Sequence, residues 1–235
     1  MNLILVDKND LERENIARLK DRRLIHIRDI LKVKKGGRLS VGLVNGLMGE
    51  GEVRAVLQNY VELSLDLFQK PPAKVPVTVI FALARPPVLK RILLTLTSLG
   101  VEQIHIIHSA RVEKSYWNSP VLSAENIREQ LILGLEQAKD TVLPQVSFHK
   151  RFKPFVEDVL PDIISRKKAY VAHPQENRKC PPAFKGKTVL MIGPEGGFVP
   201  YEIELLLSQG VKAVSLGERI IKVETAAALL IGRCS

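Results

Sequence analysis

The sequence predicts an α/β protein in two parts: a small β-rich domain over residues 1–70 and a larger α/β domain over 71–235. Three observations carry this. Asn45-Gly46 separates two strand-like runs, Arg38–Val44 and Leu47–Leu57, and Asn-Gly in that setting is the strongest short-range hairpin signal. Lys70–Pro76 holds three prolines in seven residues, which neither a helix interior nor a central strand accommodates. Beyond it, strand-sized apolar runs alternate with helical patterns, the order that builds a parallel sheet with helices on both faces.

Each element has its own signal. A basic, helix-compatible segment precedes Arg38, and Val61–Phe68 adds a strand to the small domain. Val77–Ala84 is a near-continuous apolar run, as expected of a strand buried on both faces. Pro86-Pro87 opens a helix that ends near Leu99, with Gly100 as its stop. Val101–Ile107 is the next strand and Ser123–Lys139 the next helix. Short strands follow at Val171, Val189–Ile192 and Val211–Leu216, interleaved with helices around Phe155–Ser165 and Tyr201–Gln209.

Composition narrows the function classes. At 235 residues, 46% hydrophobic and 26% charged, the chain can bury a core, and its branched aliphatics exclude general disorder. The longest apolar stretch falls short of the roughly 18 residues that span a bilayer. The opening Met1–Asp7 has neither the basic start nor the small-residue cleavage site of a secretory signal, so the expectation is a cytoplasmic protein. Cys180 and Cys234 belong to no CxxC pattern, and His105 and His108 face opposite ways on a strand. The expectation is therefore a metal-free protein without a disulfide framework.

The net charge is +10, which points to a polyanionic partner. Nine cations lie between Arg18 and Arg38, among them Arg22, Arg23, Arg28, Lys32, Lys34 and Lys35, against Asp21 and Asp29. They are read as a phosphate-backbone footprint, the alternative being a solvated face. Few aromatics accompany them, so this segment does not suggest base stacking.

In a parallel α/β sheet ligands bind outside the carboxyl ends of the strands. Three segments are expected there: His173-Pro174, Gly193-Pro194-Glu195-Gly196-Gly197-Phe198, and Leu216–Ala226 with Glu224-Thr225 at the head of an alanine-rich helix. Each has a purely structural reading: a core histidine, a tight turn, and Thr225 as a helix N-cap. Neither a dinucleotide fingerprint nor a P-loop is formed by the glycines.

Taken together, Ile192–Phe198 followed by Leu216–Ala226, with His173-Pro174 upstream, resembles the RsmE family of SPOUT-type RNA methyltransferases. Leu99-Gly100-Val101, Arg111 and Glu136-Gln137 extend the likeness, as do His26, Leu31-Lys32 and Gly36-Gly37. The resemblance implies an N-terminal PUA-like RNA-binding β-barrel domain and a C-terminal SPOUT domain with a trefoil knot, here about residues 170–228. It implies a homodimer that uses S-adenosylmethionine to methylate N3 of a uridine in 16S rRNA, within the assembled 30S subunit. The alternatives are a non-catalytic RNA-binding paralogue of the same fold and a SPOUT methyltransferase with another RNA target.

By the same resemblance His173, Pro174, Gly193, Pro194, Glu195, Gly196, Gly197, Leu216, Gly217, Ile220, Ile221, Thr225 and Ala226 hold the cofactor. Arg111, Lys222 and Glu224 are the candidate catalytic residues, and Arg22, Arg23, Arg28, Lys32, Lys34 and Lys35 the RNA contacts. Where the family usually has arginine, this chain has Lys32 and Lys222, which keep the charge but lose the bidentate fork.

Overall fold

The computed structural model describes residues 2–174 and 178–234; the expected cofactor stretch 170–228 is thus described except for 175–177, and Met1 and Ser235 also lie outside the described residues. The chain divides into two compact units.

The first unit comprises Met1–Ala73 and Ile132–Leu143. Its strands β1 (Ile4–Val6), β2 (Leu11–Arg13), β3 (Ile16–Leu19), β4 (Arg38–Leu43), β5 (Met48–Val56) and β6 (Val61–Gln69) form one sheet in the order β1-β4-β5-β6-β3-β2. β1 runs parallel to β4 and the other pairs are antiparallel. The Asn45-Gly46 turn is present: Asn45 takes a φ of 58° and the Gly46 N–H donates to the Leu43 carbonyl. β1, β2 and β3 have no counterpart among the expected strands, because runs of three or four residues are too short to show a period. The basic segment forms a short helix, α1 (Arg22–Ile25), which widens into a π turn at His26–Ile30.

Alternation along β1 explains why the unit includes Ile132–Leu143. Ile4 and Val6 enter a core with Ala17, Leu19, Val41, Val53 and Leu63. Leu3 and Leu5 point the other way, onto Val44, Met48 and Leu135. The later segment covers that second face and is bonded to it: Thr141 Oγ1 donates to the Gly46 carbonyl (2.6 Å), and the Leu143 N–H to Asn45 Oδ1 (2.9 Å). Asp140 turns the chain there by accepting from the Thr141 and Val142 N–H groups.

The second unit comprises Lys74–Leu131 and Pro144–Ser235. β7 (Val75–Ala82), β8 (Val101–Ile107), β9 (Gln145–His149), β10 (Lys168–Ala172), β11 (Thr188–Ile192) and β12 (Lys212–Val214) are all parallel, in the order β12-β10-β11-β7-β8-β9. The helices are α2 (Pro86–Ser98), α3 (Ala124–Ala138, whose last part belongs to the first unit), α4 (Phe152–Pro154), α5 (Leu160–Ile164), α6 (Pro200–Ser208) and α7 (Val223–Ile231). α2 packs on β8 and α7, α5 and α7 on β11, and α6 on β12. Residues 77–84 and 188–192 are buried without interruption, as central parallel strands require.

Two elements differ from expectation. Pro76, placed by the sequence outside any central strand, is the second residue of β7. It is tolerated because pairing with β11 begins at Val77 and the register with β8 shifts between Val75 and Thr78. β9 was not expected at all: it is a five-residue edge strand in which Gln145, Ser147 and His149 dilute the apolar signal.

His105 on β8 lies against His149 on β9, with Nδ1 and Nε2 3.1 Å apart and Phe155 against both rings. Burial first, then His149 and Lys167, push His105 down from the ordinary 6.5 to about 4. Burial lowers His149 as well. His108 lies beyond the end of β8 and accepts the Trp117 indole N–H (2.9 Å).

Arg23, 12% exposed, binds Asp10, Asp21 and the Leu5 carbonyl together, so Arg23→Ala should cost about 3 kcal/mol in urea unfolding. Arg28→Ala, which removes a surface pair with Asp29 and a bond to the Gln58 carbonyl (3.1 Å), should cost about 1 kcal/mol or less in the same transition. Below pH 6.5 the unfolded chain takes up a proton at His105 that the folded protein refuses until about pH 4. The contribution of His105 to stability is therefore complete above pH 6.5 and is lost as pH falls towards 4; His105→Gln should remove that part of the decline in denaturant midpoints.

Candidate functional site

Because the six strands of the second unit are parallel, every loop leaving a carboxyl end emerges on one edge of the sheet. The loops after β10, β11 and β12, with the first turns of α2 and α7, enclose a cleft of about 350 Å³. That volume is within the range of small-molecule sites.

The loop after β11 is folded tightly on itself. Gly197 adopts a φ of 73° and donates its N–H to the Pro194 carbonyl (2.7 Å). A Cβ at Gly193 would stand 3.1 Å from both the backbone nitrogen and the ring of Phe198, so any side chain there would have to push Phe198 aside by a few tenths of an ångström. The close packing leaves backbone, rather than side chain, facing the cleft. Phe198 is buried and anchors the loop by leaning on Phe152. The other two loops are tied at their roots: the His173 N–H donates to the Val214 carbonyl (3.0 Å), and Ser215 bridges to Lys179.

Charge is paired at the rim. Arg85 Nε donates to Glu195 Oε1 (3.0 Å), and Arg91 meets Glu224 Oε1 at 3.3 Å. Glu224's own backbone N–H, and after it Arg91, hold the Glu224 carboxyl below the usual carboxylate range. A carboxylate so stabilised is a poor proton acceptor and a good hydrogen-bond acceptor for a cationic group. Arg219 and Lys222 are exposed in the wall of the cleft.

Most of the residues singled out in the sequence meet here. His173, Pro174, Gly193, Pro194, Glu195, Gly197, Leu216, Gly217, Ile220, Ile221 and Ala226 line the cleft, with Lys222 and Glu224. Gly196 and Thr225 are not in its wall. Thr225 is also not the N-cap: α7 begins at Val223 behind Lys222, and Thr225 is exposed within its first turn. Arg111 is outside the wall too, and its guanidinium donates to the Gly196 carbonyl. That contact makes Arg111 a brace for the glycine loop. The same turn is held by Glu202, whose buried carboxylate accepts from the Ala110 N–H (2.7 Å) and the Val199 N–H (3.0 Å).

Arg85, Val88 and Arg91 also line the cleft, although the sequence does not single them out as ligand contacts, and Phe198 and Arg219 line it from within the expected segments. Arg85 and Arg91 had a usable signal, since they follow a strand that ends on the same edge.

The basic residues of the first unit separate into two sets. Arg28, Lys32, Lys34 and Lys35 line an open groove with Arg54. Arg22 instead meets the buried Glu136 at 2.8 Å, and Arg23 is enclosed by its acidic partners. Among the described residues no group of three or more His, Cys, Asp or Glu is placed to hold a metal ion, and no helix is long and apolar enough to cross a membrane.

The chain is 28% identical over 233 residues to the ribosomal RNA small subunit methyltransferase E of Treponema pallidum, covering 97% of this chain and 88% of that protein. It is 27% identical to the ribosomal RNA small subunit methyltransferase E 1 of Borreliella burgdorferi, over 96% and 94% of the two chains. The fold is that of the Neisseria gonorrhoeae ribosomal RNA small subunit methyltransferase E, solved bound to S-adenosyl methionine, with a TM-score of 0.74 at 19% identity over 99% and 95% of the chains. Residues 71–235 match the family model described as RNA methyltransferase domain, and the chain belongs to that family, with RsmE-type proteins as its full-length relatives.

Proposed function

We propose that this chain binds S-adenosylmethionine in the cleft and methylates N3 of a uridine in 16S rRNA, with the assembled 30S subunit as substrate. The observation that carries the reading is the convergence of three loops on a cleft walled by glycine backbone and aliphatic side chains, in a chain of the RNA methyltransferase family. The residues present fit the cofactor. Backbone groups of Gly193–Gly197 and Leu216–Gly217 suit the adenine and amino-acid hydrogen bonds, while Ile192, Ile220, Ile221 and Ala226 supply apolar contact. The ionised Glu224, at the rim, suits a positively charged ligand. S-adenosylmethionine, when bound, supplies a methyl group on a cationic sulfur, so the protein has only to hold and align.

The chain's own residues then divide the work. Arg111 and Glu202 fix the glycine loop, and Lys222 and Arg219, exposed in the cleft wall, are the cations that would stabilise negative charge developing on the uracil oxygens as the N3 proton leaves. The groove of Lys32, Lys34, Lys35 and Arg54 on the first unit's β-sheet supports reading that unit as a PUA-like RNA-binding domain. The SPOUT trefoil knot and the homodimer belong to the same proposal. Ile220, 90% exposed, with Leu207 and Leu229, leaves apolar surface that a second copy would cover. A ribosomal substrate makes the cytoplasm the expected compartment.

The direct test is transfer of labelled methyl from S-adenosylmethionine to 30S subunits, with N3-methyluridine as the expected product; unlabelled rRNA would overturn the reading. Titration calorimetry should give a micromolar Kd for S-adenosylmethionine, about −8 kcal/mol. Gly193→Ala should weaken it tenfold or more while leaving RNA affinity unchanged. Replacing Lys32, Lys34, Lys35 and Arg54 with Gln should lower RNA affinity and reduce the slope of log K against log salt by about 0.7 for each phosphate no longer neutralised. Arg22→Gln, by contrast, should change stability and leave that slope alone.

A further inference from the structure

The turn that follows β8 has a second role to offer. Its near end is fastened to the cofactor cleft: Arg111 binds the Gly196 carbonyl, and the Ala110 N–H donates to Glu202. Tyr116 lies within electrostatic reach of Arg85 and Glu195 at the rim. Its far end brings Trp117 onto the carboxyl ends of β8 and β9. There the indole N–H donates to His108 Nδ1 (2.9 Å), Phe148 meets the ring edge-on at 6.5 Å, and Lys150 Nζ lies 5.8 Å from the ring centroid. The His108 N–H in turn donates to the His149 carbonyl (2.8 Å), joining the two strand ends.

These groups form an aromatic platform with a cationic border. Phe148 is 40% exposed, and Trp117 is half-buried. Lys150, the cation beside the ring, is exposed, as are Arg151 next to it in sequence and Lys114 three residues before Trp117. Because Nδ1 of His108 accepts the indole proton, Nε2 is the ring nitrogen that carries hydrogen, a donor suited to a carbonyl or phosphate oxygen. β11 and β8 are separated by one strand, so the platform stands about 10 Å along the sheet edge from the glycine loop, the reach of a short run of nucleotides. Sequence-tolerant binding of unpaired nucleic acid uses this combination: a π face for the base and cations for the backbone.

We propose that Trp117, with His108, Phe148 and Lys150, forms a base-stacking subsite for an unpaired RNA nucleotide flanking the one that enters the cleft. The inference rests on the RNA methyltransferase reading and specifies how that substrate is held.

Trp117 is the chain's only tryptophan, so its emission reports on this subsite directly. A short unpaired oligoribonucleotide of mixed sequence, titrated into the full-length protein, should quench that emission saturably and less strongly as salt rises. Trp117→Ala should weaken the oligonucleotide on the order of tenfold, with Trp117→Phe restoring most of the loss. Lys150→Ala should weaken it several-fold while calorimetric S-adenosylmethionine affinity stays unchanged. Unaltered wild-type emission, whether or not the RNA binds elsewhere, would overturn the proposal, as would equal affinities for the alanine and wild-type proteins. Methyl transfer to 30S subunits is scored separately. Quenching without methylation leaves the subsite standing and removes the assigned reaction; methylation without quenching does the reverse.

Discussion

A parallel strand has a direction, and six of them side by side give the second unit one edge on which every carboxyl end emerges. The cleft, its glycine loop, the arginines at the head of α2 and the Trp117 platform all occur on that edge. The sheet supports this arrangement because β7 from Val77 onward and β11 are buried throughout, with α5 and α7 packed on β11. Their burial fixes the strand ends, and the loops inherit fixed roots.

Fixed roots alone would not shape a ligand site, since loops are the most mobile parts of a fold. Here the glycine loop is held from outside by two charged groups that never enter the cleft. Arg111 holds the Gly196 carbonyl, and Glu202 ties the turn after β8 to the start of α6. Both work through backbone atoms, so the loop can present its own backbone to a ligand. Arg111, a candidate catalytic residue by family likeness, is engaged here with the Gly196 carbonyl.

The first unit shows how charge is sorted by burial. Among the basic residues from Arg18 to Arg38, Arg23 is largely buried against Asp10 and Asp21, while Arg22 and Arg18 stay about one-third exposed but are paired with Glu136 and with Glu62. Lys32, Lys34 and Lys35 line the open groove instead, joined by Arg54 from β5. Net charge in a segment therefore overstates the charge available to a polyanion.

Much of the architecture is legible in local pattern. The Asn45-Gly46 turn, the Pro86 helix start, the Val101–Ile107 strand and the three loops at strand ends all follow from periodicity and from glycine and proline chemistry, which act over a few residues. What is not legible depends on partners far away in the chain. Ile132–Leu143 joins the first unit because Leu3 and Leu5 need a second face covered. Pro76 is admitted to β7 because its neighbours do not require its missing N–H. Trp117, Phe148 and Lys150 become one platform only when β8 and β9 pair. The sequence by itself determined the Asn45-Gly46 turn, the longer strands and helices and the loops at the strand ends, since those follow from short-range sterics and apolar period, whereas the short strands β1, β2, β3 and β9 depend on their partners. Tertiary structure alone decided which cations face solvent and which aromatics gather, because ion pairing and ring packing depend on the groups that folding brings together.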